Sequence, residues 1–386
     1  MFYIQQGWGM LSMIGEFLET HHNSGVILSP RVCERAQLEN YVSTWRERDF
    51  ELIFDPQFFE PRTGLERILS YPFWGDSFET STFDSAEFGR AVINYQSESL
   101  ELETIILPGR FTNSLTDSWL EMQHSFAQLK HEYENLTMYS TIALGPDVIL
   151  NDNDFNTIID ETINYPTDGV YLLFEHPNNS FLIEDEEFIY VLLDACLSLS
   201  LASKSIINGY SNQQSIVFAS AGVENIASGN YRNVRCFDHL NFSERDTEGW
   251  QRRAWYFDGN TFGEYTTQQL SLAYRRELSE YFGPPSDYTN NLLSSERPGD
   301  VRLQERDAFF HYFEIMKSIC NDIVHVQRNE RAHYILNLLN TIDENNRELI
   351  TRGFNPGERG FPRACRASLD ALNAFIMDRS TDINQL

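Results

Sequence analysis

Four carboxylates at the ends of apolar runs are the residues of this chain whose type and placement suit chemistry: Asp55, Asp147, Glu175 and Asp258. Asp55 closes the apolar part of residues 50–59, FELIFDPQFF, a stretch that reads as a buried strand stopped by Pro56. Glu175 and His176 leave residues 169–177, GVYLLFEHP, in the same manner. Two carboxylates can cleave a glycosidic bond, one attacking or stabilising the cationic sugar carbon and the other handling a proton, with no cofactor. A carboxylate-bound metal held by Asp55, Asp147, Glu175 and Asp258 stays open as an alternative. Each residue also has a structural reading. Asp55 could cap a loop or pair with Arg31, Glu175 and His176 could hydrogen-bond a loop, and Gly145-Pro146-Asp147 also makes a turn.

These side chains need elements that aim them at one place. Short apolar runs with polar exits recur at residues 25–31, 50–59, 104–110, 139–147, 169–177, 205–210, 223–229 and 254–258, mostly with helical patterns between them. Eight such units predict a (β/α)8 barrel of the TIM type, an α/β fold whose strand ends face a single rim. The rim residues expected on this register are Arg31, Asp55, Gln57, Arg110, Asp147, Glu175, His176, Asn208, Tyr210, Asn212 and Asp258. Arg31, Gln57, Arg110, Asp147, His176, Asn208, Tyr210 and Asn212 are the candidate substrate-binding groups, and Asp55, Glu175 and Asp258 the candidate catalytic ones. Residues 1–282 form the expected barrel, with a long loop insertion at 60–85, and residues 283–386 a helical C-terminal extension. Tyr71, Phe73 and Trp74 in the insertion either tuck the loop onto the body or stack on a flat ligand. Asn151 and Asp152 are plausible caps for the helix that follows them, and Glu184, Asp185, Glu186 and Glu187 suit a helix start, where acids favour the dipole.

Composition narrows the partners. With 57 acidic against 29 basic residues the formal charge is −28, which repels phosphate polymers at long range. Only Lys130, Lys204 and Lys317 are lysines, and the other basic residues are arginines. Arginine suits bidentate binding of phosphate or carboxylate, though a general compositional bias explains the pattern equally. The five cysteines lie far apart without a Cys-x-x-Cys pair, so no disulfide framework or zinc knuckle is expected. The start of the chain lacks the basic, then apolar, pattern of a secretory signal, and no apolar run is long enough to span a bilayer. A soluble, cytoplasmic protein without a membrane partner is expected. The sequence holds no Gly-x-Ser-x-Gly elbow, Walker loop, Gly-x-Gly-x-x-Gly or His-Glu-x-x-His.

Three stretches carry a resemblance to a known family: residues 27–31 (ILSPR), residues 52–57 (LIFDPQ), and residues 207–229, from INGYSN through ASAGV to IASG. The chain resembles the tRNA-guanine transglycosylase-like barrels and, among them, looks like the Brig family of anti-phage DNA glycosylases, which remove modified bases from viral DNA. Two departures stand out. The family's zinc-binding cysteine and histidine cluster is absent, and Ala227, Ser228 and Gly229 stand where its nucleophilic aspartate would end a seventh strand. No catalytic residue is therefore carried over. The resemblance implies hydrolysis of an N-glycosidic bond rather than base exchange, in modified phage DNA as substrate. The 352–366 stretch with Arg352, Arg359, Arg363 and Arg366, together with Arg252, Arg253, Arg275 and Arg276, is then the expected DNA surface, and Tyr71 and Trp74 in the aromatic loop would fill the gap left by a flipped base or stack on it. A hydrolase of a small glycoside or nucleoside, or a non-catalytic barrel that senses a ligand or protein, are the competing classes.

Overall fold

The computed structural model describes residues 1–21, 24–48, 50–60, 67–74, 85–242 and 254–386. Nine short strands share one parallel sheet: β1 (Phe2–Gln5), β2 (Gly25–Leu28), β3 (Glu51–Phe54), β4 (Thr104–Ile106), β5 (Phe111–Thr112), β6 (Thr137–Leu144), β7 (Gly169–Phe174), β8 (Ser205–Asn208) and β9 (Asn225–Ser228). Their order is β3-β2-β1-β9-β8-β7-β6-β4, with the two-residue β5 beside β6. The sheet curls until its ends, β3 and β4, pack together. Side chains and one loop bond bridge that seam: the Thr104 hydroxyl donates to Glu51 (2.8 Å) and the Phe111 amide to the Phe59 carbonyl (3.0 Å). The fold is a (β/α)8 barrel.

Helices α1 (Leu11–Thr20), α2 (Arg35–Trp45), α3 (Ala86–Asn94), α4 (Asp117–Gln128), the one-turn α5 (Pro146–Ile149), α6 (Asp152–Asn164) and α7 (Glu186–Leu201) alternate with the strands. Several carry the caps their sequences announce. Thr116, Asn151 and Asp185 each accept an amide from the first turn of α4, α6 and α7, and Glu186 and Glu187 occupy the first turn of α7. After β8 a 3₁₀ stretch, Gln213–Ala221, takes the helix position. Beyond β9 a hairpin of β10 (Tyr256–Phe257) and β11 (Glu264–Tyr265), with α8 (Thr267–Tyr274) and α9 (Asn290–Leu293), builds a separate core around Tyr256, Tyr265, Phe282 and Phe354. Helix α10 (Glu305–Val324) packs on β1, while α11 (Arg331–Thr351) and α12 (Pro362–Ile383) pack against each other and on α7 and the 3₁₀ stretch.

The eighth barrel strand is not the expected one. Residues 254–258 belong to the antiparallel β10–β11 hairpin outside the barrel sheet. The place is filled by β1 at the start of the chain, which pairs in parallel with both β2 and β9. Four residues before Gln6-Gly7 are too few to show a period, whereas residues 254–258 display an apolar run whose partner sits only a few residues further on.

Inside the barrel, alternate residues of each strand point to the axis. Tyr3, Ile27, Ile53, Ile106, Tyr171, Ile207 and Ala227 form the inner core, and their strand neighbours join the outer core under the helices. Large rings are accommodated beside glycines: a methyl group on Gly209 would overlap Tyr171, and one on Gly25 would overlap Tyr3.

Candidate functional site

The alternation that sends Ile53 inward also sends Asp55 inward, one step past the end of β3, at the C-terminal mouth where barrel enzymes keep their chemistry. Asp55 is 0% exposed. Its Oδ1 accepts the Gln57 amide (2.9 Å), and its Oδ2 accepts the hydroxyls of Tyr210 (2.9 Å) and Tyr171 (3.1 Å). Tyr171 lies equally close to Oε1 of Gln5 on β1 (3.1 Å), so one hydroxyl proton faces two acceptors. Burial drives the Asp55 pKa up to about 7, against the lowering effect of the three hydrogen bonds. Burial likewise pushes both tyrosines well above their ordinary value, so they act as neutral donors.

A second layer fixes this arrangement. Gln57 Nε2 donates to the Tyr210 hydroxyl (2.6 Å), and Gln57 Oε1 accepts from the Ser29 hydroxyl (2.8 Å) and the Arg31 amide (3.3 Å). Gln57 and Tyr210 both hold left-handed backbone angles, φ 57° and 49°. Non-glycine residues pay for such angles, and they gather where surroundings fix a required geometry.

Across the mouth, Glu175 continues the inward parity of Tyr171 and Leu173 on β7. Its Oε1 accepts both the backbone amide (2.7 Å) and Nδ1 (2.5 Å) of His239. The His239 ring stacks on Phe111 at 4.0 Å, and its Nε2 lies 3.7 Å from Glu60. Glu175, Asp238 and His239 present ligand atoms within 4.8 Å of one another, a mixed nitrogen and oxygen set that suits a divalent transition metal. Phe59, Phe237, Phe242 and Tyr210 close the mouth with edge-to-face and tilted contacts, Phe59 lying 4.7 Å from Phe242 and 5.1 Å from Phe237. The Arg31 guanidinium covers Phe242 at 5.3 Å.

Of the rim residues expected from sequence, Arg31, Asp55, Gln57, Glu175 and Tyr210 gather around the mouth. Others do not. Asn208 belongs to the outward parity of β8 and donates to the Leu172 carbonyl (3.2 Å), leaving its own carbonyl oxygen buried without a partner among the described residues. Asn212 is a cap: its oxygen accepts the Gln214 amide (2.9 Å) and its nitrogen donates to Phe181 (2.7 Å). His176 also points outward, bonded through Nδ1 to the Ser180 carbonyl (3.1 Å), and burial lowers its pKa to about 4. Asp147 is exposed in the first turn of α5 and accepts from Asn113 (2.6 Å). Arg110 is half-buried between β4 and β5, its carbonyl taking the Trp119 indole (3.0 Å).

Asp258 stands apart from the barrel mouth. It is buried in the β10–β11 turn, accepting from the Thr261 amide and hydroxyl (2.9 and 2.6 Å), the Gly283 amide (2.7 Å) and Tyr256 (3.1 Å). Four donors around one carboxyl organise a turn, so its catalytic assignment is corrected. Burial lifts its pKa to about 7 as well, which shows that a perturbed carboxyl alone does not mark a site.

The expected nucleic-acid contacts also change. Tyr71 is buried against Phe54 and Tyr95 with its hydroxyl on the Cys33 carbonyl (2.9 Å), and Trp74 is buried and stacked on Phe58 at 4.6 Å. Both pack residues 67–74 onto the body, with their rings turned to apolar neighbours rather than to a base. Arg359 is bound to the buried Glu264 (2.7 Å) and lies over Trp255 (4.4 Å). Glu264 in turn pairs with the buried Arg235, whose second nitrogen donates to Gln213 (2.9 Å). Arg275, Arg276, Arg363 and Arg366 are exposed, the last two loosely paired with Glu184 (3.6 Å) and Asp343 (3.8 Å). Arg252 and Arg253 lie outside the described residues.

Sequence reasoning missed Gln5, Ser29, Tyr171, Phe237, Phe242 and His239. Tyr171 was open to discovery, because it shares parity with Glu175 four residues on, and so was Ser29, at the polar exit of residues 25–31; the others depend on β1 and on the fold of residues 230–242. Around the closed sheet the seventh strand is β8, and its exit, Asn208-Gly209-Tyr210, also lacks a carboxylate. The chain matches no protein-family model and no curated protein. No helix among the described residues is long and apolar enough to cross a membrane.

Proposed function

We propose that the barrel mouth around Asp55 hydrolyses an N-glycosidic bond, releasing a modified base from DNA. The observation that carries this reading is Asp55 itself: an inward carboxyl at the C-terminal mouth, pushed to about 7 by burial and held on both oxygens by Gln57, Tyr171 and Tyr210. The resemblance in residues 27–31, 52–57 and 207–229 supports it independently of pKa.

In the ionised form Asp55 attacks or stabilises the cationic C1′ as the bond to the base breaks, and the electron pair leaves with the base nitrogen. The Glu175–His239 pair supplies the proton to that nitrogen and then takes one from water, whose hydroxyl ends on C1′. Tyr171 and Tyr210 keep the carboxyl aimed. Entry requires Phe59, Phe237 and Phe242 to part, so the closed mouth described here excludes water before substrate binds.

A second reading, hydrolysis of a free nucleoside or other small N-glycoside, is favoured by the charge of −28 and by the burial of Tyr71 and Trp74. One experiment separates them. The protein is incubated with modified phage DNA, unmodified DNA and free nucleosides, and free base and alkali-labile abasic sites are measured. Release from modified DNA supports the first reading, and release from nucleosides alone the second. Activity that persists in Asp55→Asn removes the role given to Asp55, and no release from any substrate removes the glycosidase reading altogether.

A further inference from the structure

A cavity of about 270 Å³ opens beside the barrel mouth, between the β1–α1 loop and the start of α2. Among its walls are Gln6, Trp8, Glu34, Gln37, Tyr41 and Arg67. Three of these are flat: the Trp8 indole, the Tyr41 ring and the Arg67 guanidinium, which lies 4.1 Å from the centre of the Trp8 ring. Trp8 is 50% exposed, an unusual state for the largest apolar side chain.

The floor is polar and incompletely used. Gln6 is 1% exposed, and its Oε1 accepts the Ser29 amide (2.9 Å), but its Nε2 meets no acceptor among the described residues. Gln37 Oε1 accepts from the Cys33 thiol (3.6 Å). Glu34 precedes α2 without capping it, so its carboxylate is not spent on the helix start. The cavity thus offers the Gln6 amide donor and the Glu34 carboxylate acceptor beside two flat walls, the Trp8–Arg67 stack and the Tyr41 ring.

We propose that this cavity binds a flat nitrogen heterocycle that carries both acceptors and N–H donors on its edge, a purine-type nucleobase. Aromatic and guanidinium faces stack on a base ring, and the Gln6 amide and Glu34 carboxylate meet ring acceptors and exocyclic or ring N–H donors. The carboxylate in the wall disfavours an anion such as phosphate. The volume lies just below the range of about 300–1,000 Å³ for drug-sized ligands and matches a single ring system. The walls include neither Asp55 nor Gln57, Tyr171 or Tyr210, and among the described residues Ser29 alone bonds both Gln6 and Gln57, so the proposal does not depend on the glycosidase reading.

The test is calorimetric titration of the full chain with adenine, guanine and inorganic phosphate, for wild type, Trp8→Ala, Glu34→Gln and Asp55→Asn. Wild type is expected to bind at least one purine saturably and phosphate not at all. Loss of one stacking partner should weaken binding about ten-fold or more. Glu34→Gln should weaken the base that presents N–H donors, and Asp55→Asn should leave binding intact even where it abolishes base release. Trp8 and Glu34 are not core residues, so their variants remain folded. No saturable binding of either purine, binding of phosphate instead, or Trp8→Ala and Glu34→Gln both binding as tightly as wild type would each overturn the proposal.

Discussion

At the residue scale, the position of the Asp55 proton decides the pH behaviour. Its folded pKa of about 7 means that the carboxylate needed to meet a cationic sugar carbon is scarce in acid and dominant above neutrality. In the glycosidase reading, kcat/KM should climb about ten-fold per pH unit below 7, since each pH unit there changes the ionised fraction of Asp55 ten-fold. A rate that is flat from pH 5 to 8 would move the chemistry away from Asp55. The same ionisations act on stability. Asp55 and Asp258 keep their protons in the fold between about 4 and 7, where the unfolded chain loses them, so their contribution is present below 4 and lost as pH rises through 7. His176 and His311 work in reverse. Burial lowers each from 6.5 to about 4, so their contribution is present above 6.5 and lost as pH falls toward 4. Between 4 and 6.5 the two pairs oppose each other. His311→Gln removes one opposing member while keeping a donor for the Phe257 carbonyl, which His311 Nε2 meets at 2.8 Å. From pH 4 to 6.5 wild type should therefore gain about 3 kcal/mol over this variant, read from urea midpoints. A difference that does not change with pH would mean that His311 titrates normally in the fold.

At the element scale, the barrel is held by how neighbouring strands share their interior. Gly209 leaves room for the Tyr171 ring of β7, and Tyr171 and Tyr210 together hold Asp55. Gly209→Ala should cost about 1–3 kcal/mol by overpacking and should weaken activity beyond that loss, because Tyr171 must shift from the carboxyl. Unfolding midpoints and base release on the same preparation check it; unchanged values for both would show that the strands move apart freely. This layer was the least legible in the sequence. The exit of β3 announced itself, since an apolar run ending in Asp-Pro is a strand followed by a stop, and β7 with Glu175 read in the same way. The short β1 did not, and losing it shifted the strand count so that residues 254–258 took its place. Parity was the other gap. Asn208 and His176 stand at strand exits as expected, yet one residue of offset turns a side chain from the mouth to the helix layer. The insertion's aromatics had an inward and an outward reading, and Tyr71 and Trp74 took the inward one because Phe54, Phe58 and Tyr95 gave them apolar partners.

At the scale of the whole molecule, charge works against compactness. A formal charge of −28 on 386 residues repels itself in the folded state more than in the expanded unfolded chain. The ion pairs that oppose this are largely at the surface, such as the two-fold Arg90–Glu132 pair (both bonds 2.7 Å), and such pairs contribute little. The buried Arg235–Glu264–Arg359 cluster is different, because it joins the segment after β9, the β10–β11 hairpin and the start of the C-terminal helices in one screened interior. Salt should therefore relieve repulsion at the surface and leave the cluster alone. Raising sodium chloride from about 0.1 to 1 M shortens the screening length from about 10 to 3 Å, and Tm should rise. Glu264→Gln should lower stability by about 3–5 kcal/mol, since it leaves the buried Arg235 uncompensated, and the loss should be nearly the same at both salt concentrations. A Tm that falls with salt would mean that surface pairs, not net repulsion, dominate the electrostatics; an Arg235–Glu264 loss that salt rescues would mean that water reaches the cluster.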